Sequence, residues 1–324
     1  MVSTQTNFAG LKLKNPIIAG SSGLTNTLEK IEQLDNAGVG AIVLKSLFEE
    51  QIDNHVDKLT GISQYPEAAD YISAYVEMHH VEKYIDLIRS AKAGCSVPVI
   101  ASINCYTHSR WIDFAKRIEK AGADAIELNV FALNTGEFGG DYLENLYQNI
   151  VRDLHEVVKI PIVVKMAHSL SNLPGLVGKL NALGSKGVVL FNRFYQLDID
   201  IDNLQIVSGD VFSHPSDFSE TLRWTAIVSG KLPKSDIACS YGVHSWEDVV
   251  KGILAGASAI ELCSVLYEKG FDVVSEMLTC LEEWMRQRGY EKISDFKGKL
   301  NYAAIPDPSL YERVQFMKYF SNYQ

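Results

Sequence analysis

At 324 residues, 47% hydrophobic and 22% charged, the chain has the composition of a globular protein with a well-buried core. A formal net charge of -10 argues against a nucleic-acid partner or an anionic membrane surface. No apolar run is long enough to span a bilayer, and the N-terminal MVSTQTNFAG lacks the basic-then-apolar pattern of a signal peptide. Cys95, Cys105, Cys239, Cys263 and Cys280 form no C-x-x-C pair and no cluster suited to iron–sulfur, which predicts reduced thiols and a cytoplasmic protein.

Short apolar strands are expected at Pro16–Gly20, Ala41–Lys45, Pro98–Ile103, Ala125–Asn129, Pro161–Met166, Gly187–Phe191, Ile237–Ser240 and Ser258–Cys263. Amphipathic helices are expected between them at Asn26–Ala37, Ser109–Lys120, Tyr142–Val158, Leu176–Leu183, Ser245–Leu254 and Phe271–Arg288. Asn36-Ala37-Gly38-Val39-Gly40, Ala121-Gly122-Ala123, Leu183-Gly184-Ser185-Lys186-Gly187 and Ala255-Gly256-Ala257 punctuate the passage from helix to strand. Eight such units predict one domain over residues 1–324: an α/β fold, a (β/α)8 TIM barrel with an N-terminal hairpin and βα-loop insertions. A doubly wound sheet is the competing arrangement. Two segments interrupt the rhythm: Glu49–His79, with Tyr65, Glu67, Asp70, Tyr71 and Tyr75, and Arg193–Asp217, with Tyr195, Asp198, Asp200, Asp202 and His214. Either could be a ligand-binding insertion, surface decoration or a dimer contact. Phe296-Lys297-Gly298-Lys299-Leu300 should pack against the barrel.

In a barrel of this kind the chemistry sits at the strand ends. The first strand ends Ala19-Gly20-Ser21, small enough for a flat ring to approach the backbone, or simply a tight turn. The second ends Lys45-Ser46, the third Asn104-Cys105-Tyr106, the fourth Asn129, the fifth Lys165-Met166-Ala167-His168 and the sixth Asn192-Arg193. A lysine closing a buried strand needs a counter-charge or an electron-rich acceptor. Two of them, with three strand-terminal asparagines, predict a functional cluster of Lys45, Asn104, Asn129, Lys165 and Asn192. Loops after the last two strands, Ser240-Tyr241-Gly242-Val243-His244 and Cys263-Ser264, could take a phosphate or be structural turns; Ser245-Trp246-Glu247-Asp248 has capping-box spacing.

The run Asn129-Val130-Phe131-Ala132-Leu133-Asn134 resembles the Asn-x-Ser-Cys-Pro-Asn signature of the dihydroorotate dehydrogenase family, soluble type. Lys14-Asn15-Pro16, Lys45-Ser46, Lys165, Leu254-Ala255-Gly256-Ala257-Ser258-Ala259 and the Phe296–Leu300 segment extend the resemblance over essentially the whole chain. The resemblance implies FMN on the barrel mouth, held by Ala19, Gly20, Ser21, Lys45, Ser46, Asn104, Asn129 and Lys165, with Tyr241, Gly242, Cys263 and Ser264 toward its phosphate. It also implies oxidation of dihydroorotate to orotate in pyrimidine biosynthesis, a small planar, pyrimidine-like substrate contacted by Lys45, Asn129, Asn134 and Asn192, and a homodimer. Ala132 stands where the family carries its Cys or Ser base, and Arg193 follows Asn192 in place of Ser or Thr. Cys105, Tyr106 and His168 are the candidate replacements for that base, His168 having the unperturbed pKa best suited to neutral pH. Alternatives are a flavin- or metabolite-binding barrel without turnover, and a barrel using Lys45 or Lys165 as a Schiff base.

Overall fold

The computed structural model describes residues 2–50, 52, 69–104, 108–130, 132, 135–136, 139–168, 170–194 and 196–312. Cys105, Tyr106, Asn134 and Tyr195, and Tyr65 and Glu67 of the first insertion, lie outside the described residues, as do the side chains of Asp70, Tyr71 and Tyr75.

A hairpin of β1 (Thr6–Phe8) and β2 (Leu11–Leu13) leads into β3 (Ile17–Ala19), β4 (Ala41–Val43), a two-residue β5 (Leu47–Phe48), β6 (Val99–Asn104), β7 (Ala125–Asn129), β8 (Ile162–Met166) and β9 (Gly187–Leu190). A second hairpin, β10 (Leu197–Asp200) and β11 (Gln205–Ser208), separates these from β12 (Asp236–Cys239) and β13 (Ala259–Leu262). The strands pair in parallel in the order β4-β3-β13-β12-β9-β8-β7-β6, and β6 returns to β4, so all eight expected strands close into a (β/α)8 barrel. Helices α1 (Leu28–Ala37), α2 (Ala69–Gly94), α3 (His108–Ala121), α4 (Tyr142–His155), α5 (Leu173–Ala182), α6 (Phe218–Lys231), α7 (Trp246–Ala255), α8 (Ser264–Lys269) and α9 (Val273–Arg288) accompany it.

The strands read as unbroken apolar runs because both of their faces are buried. Outward side chains such as Ile17, Ile126 and Val164 pack with the helices. Inward ones, among them Ile18, Ile100, Ala125, Val163 and Ala259, fill the lower barrel together with Phe8 and Leu13 of the first hairpin. That hairpin plugs the N-terminal end; a Cβ at Gly187 would stand 3.1 Å from the Phe8 ring. At the helix ends, Gly38 and Gly256 adopt φ of 100° and 113°, the left-handed cap that the small-residue punctuation anticipated. Gly298 and Leu300 of the tail donate backbone hydrogen bonds to Ile253 and Leu254 of α7.

One expectation needs correction. The insertion read as continuing to His79 is helix from Ala69 onward, and that helix runs on to Gly94; the acids and aromatics interspersed in its sequence leave no clear apolar period to read. Among the described residues, no helix is long and apolar enough to cross a membrane.

Candidate active site

Strand alternation carries the inward series from Ala125 to Glu127 and Asn129 on β7, from Val163 to Lys165 on β8, and from Ala259 to Glu261 on β13. Above the apolar plug, therefore, the barrel holds a charged layer. The Lys165 ammonium donates to Glu261 Oε2 at 2.7 Å and stands 3.7 Å from Glu127 Oε1. Ser240 Oγ, just past β12, donates to the same Glu261 oxygen at 3.2 Å. Burial alone would lower the Lys165 pKa, but the Glu127 and Glu261 carboxyls outweigh it and keep the ammonium charged. Burial, and then Glu261, push the Glu127 carboxyl well above the usual carboxylate range against the pull of Lys165. Neither Glu127 nor Glu261 figured among the candidate residues. The available signal was Ala-Ile-Glu-Leu, which occurs at 125–128 and again at 259–262, a carboxylate inside two otherwise apolar buried strands.

One layer higher, a hydroxyl–amide network joins the strand ends. Ser46 Oγ lies 3.1 Å from Ser21 Oγ and 2.8 Å from Ser102 Oγ, and accepts from Asn129 Nδ2 at 3.3 Å. Asn192 Nδ2 donates to Asn129 Oδ1. Asn129 is thus held at both ends of its amide, and Ser21, Ser46, Asn129 and Asn192 form one connected rim. Between β4 and β5 the chain leaves the ladder, and the buried Tyr84 hydroxyl of α2 fills the gap. It donates to Ser102 O at 2.9 Å and accepts from Ser102 N at 2.8 Å. The break lets Lys45 and Ser46 turn toward the mouth; the Lys45 ammonium sits 5.0 Å from the centre of the Phe48 ring.

A cavity of about 420 Å³ opens above these layers, within the range of small-molecule sites. Ser21, Lys45, Lys165, Asn192, Tyr241, Cys263 and Ser264 line it, with Arg193, which is held by Asp217 Oδ2 at 3.7 Å and by the Asp210 carbonyl. Ala19 instead packs outward in the apolar core, and Gly20 sits against Glu261, where a Cβ would come within 3.3 Å of its Oε2. Asn104 is buried at the end of β6. Gly242 has φ +83° and no room for a Cβ, which would lie 2.2 Å from Phe218 N, so it serves the packing of α6. At the far end Ser264 Oγ accepts from Ser213 N at 3.0 Å, and Ser213 Oγ lies 3.0 Å from His244 Nε2. Ser245 and Asp248 form the anticipated capping box.

His168 does not line the cavity. Its ring packs on Phe191 at 4.4 Å, and its Nδ1 faces Glu220 Oε2 at 3.4 Å. Burial lowers its pKa, with Glu220 opposing. Ala132 is partly exposed. A larger cavity of about 770 Å³ lies at the opposite, N-terminal end, lined by Lys12, Asp236, Lys292 and Lys297, the face that serves stability in such barrels.

The family model for dihydroorotate dehydrogenase matches residues 3–205, more than half of the chain. The chain belongs to the dihydroorotate dehydrogenase family. Among relatives, the catalytic subunit of dihydroorotate dehydrogenase B (NAD(+)) of Thermoplasma volcanium is 27% identical, over 92% of this chain and 98% of its own. That of Pyrococcus abyssi is also 27% identical, over 91% and 98%. A putative dihydroorotate dehydrogenase A (fumarate) of Aeropyrum pernix is 25% identical, over 90% and 95%. Those family members are named for different electron acceptors, so the likeness alone selects none.

Proposed function

We propose that the chain is an FMN-dependent oxidoreductase of the dihydroorotate dehydrogenase type, acting on a small planar carbonyl compound such as a dihydropyrimidine. The observation that carries this reading is the mouth itself: two lysines and a hydroxyl–amide rim around a cavity at the C-terminal ends of the strands. The residues present fit a flavin mononucleotide. Small side chains at Ser21, Ser22 and Gly23 leave room for a flat ring, and Lys45 and Lys165 suit its electron-rich edge. Ser264 and the Tyr241-Gly242 turn suit the phosphate end. When bound, FMN would supply two-electron transfer. Asn129 and Asn192 would orient the substrate by its carbonyl and amide edges, and Lys45 would bind an anionic group. Ala132 cannot take a proton, and a missing general base costs on the order of 10²–10⁴ in rate. The reading includes a cytoplasmic location and a homodimer.

Ala132 also favours a second reading, a flavin-binding barrel that does not turn over dihydroorotate. Protein purified without added cofactor should show a flavin absorption spectrum; apoprotein that refuses FMN would sink the first reading. Anaerobic bleaching of the flavin by dihydroorotate, slow in the native chain and faster in Ala132→Cys, is expected if only the base is lost. No bleaching in either, with FMN bound, would leave the second reading.

A further inference from the structure

Glu127, Lys165 and Glu261 place three ionisable groups in one layer, with side chains 1%, 9% and 1% exposed. Full ionisation would seal two negative charges against one positive one, and burying a net charge is expensive. Among the described residues, Oε1 of Glu127 and Oε1 of Glu261 both lack a hydrogen-bond donor, and the two carboxyls flank the same Lys165 ammonium, at 3.7 Å and 2.7 Å. A single proton between them supplies the missing donor and removes the excess charge.

We propose that Glu127 and Glu261 share one proton at neutral pH, which makes the floor of the mouth electrically neutral and engages Lys165 within it. The charge of Lys165 is then compensated within the floor, beneath the ligand above. The shared proton rests on the burial, charge balance and arrangement of these three groups; its consequence for redox poise rests on the flavin reading.

The charged and titratable groups around Glu127 are Lys165 from β8, Glu261 from β13 and Tyr84 from α2; Cys263 adjoins Lys165, and Lys45 adjoins Cys263. Burial first, then Glu261, raise the Glu127 pKa above its ordinary 4.5. Stability from this group is therefore fully present below that value and is lost as pH rises toward the raised one. Glu127→Gln cannot ionise and resembles the protonated acid, so its stability should fall less over that window.

Infrared spectroscopy of the apoprotein at neutral pH should show the carbonyl band of a protonated carboxyl, lost in Glu127→Gln. No such band in the native chain, or a band unchanged in the variant, overturns the shared proton. With FMN bound, the redox equilibrium against a reference dye should be the same in the native chain and Glu127→Gln. In Glu127→Gln/Glu261→Gln it should shift toward reduced flavin by at least about tenfold, because Lys165 is then uncompensated. An upward shift of that size already in the single variant means Glu127 was charged and overturns the neutral floor, even if the double variant does not fold. A double variant that folds and does not shift overturns it as well. Apoprotein that takes no FMN defeats the proposed function, while the infrared band still decides the proton.

Discussion

In the floor of the mouth the lysine and both glutamates hang from barrel strands: Glu127 from β7, Lys165 from β8, Glu261 from β13, all nearly inaccessible. At the outer edge Arg193, Asp210 and Tyr241 come from loops and Asp217 from the short 3-10 turn that enters α6, and Arg193 meets Asp217 only at 3.7 Å, with both side chains partly exposed. In the floor, low dielectric makes each interaction strong and each unpaired group costly. At the edge, solvent screens the same kinds of contact, and neighbouring residues can re-pair. Near-identical chemistry is therefore rigid in one place and adjustable in the other. The edge is also where Arg193 departs from the family pattern.

The sharpest way to break this contrast is Lys165→Met. It leaves two buried carboxyls without a counter-charge, and urea unfolding should lose about 3–5 kcal/mol; a loss near zero would mean that the floor is not an ion cluster. Tyr84→Phe comes next. It strips both backbone partners of Ser102 without touching a charge, and thermal melts converted to free energy should show about 1–3 kcal/mol of lost stability. Arg193→Ala should be the mildest, within about 1 kcal/mol in stability, because its contacts to Asp217 and the Asp210 carbonyl are solvent-accessible. It should instead weaken binding of an anionic substrate analogue such as orotate, measured by flavin absorbance titration; unchanged binding would remove Arg193 from the substrate site.

Much of the mouth was legible because a polar residue closing an apolar strand stands out. Lys45, Asn104, Asn129, Lys165 and Asn192 were each visible in this way; the structure gathers Lys45, Asn129, Lys165 and Asn192 around the mouth, while Asn104 is buried at the end of β6, outside the cavity lining. Glu127 and Glu261 escaped because they sit mid-strand, where a lone acid looks like a break in an apolar pattern rather than half of a pair. Their strands are 134 residues apart in sequence numbering and meet only through the closed barrel. His168 had the right chemistry and the right strand end, yet its ring lies against Phe191, outside the cavity lining. Strand-end position fixes which end of the barrel a residue occupies, not which way its side chain turns after the strand stops.

Local sequence determined the strands, the glycine-capped helix ends, the capping box at Ser245 and the absence of a titratable group at 132. Each depends on backbone preference or side-chain chemistry within a few residues. Tertiary structure decided the partners. Closure of the barrel brought Lys165 between two carboxyls from distant strands, and the break between β4 and β5 gave Ser102 to Tyr84. These pairings depend on burial and register across the sheet, and burial is what turns two glutamates and a lysine from ordinary surface charges into a coupled site.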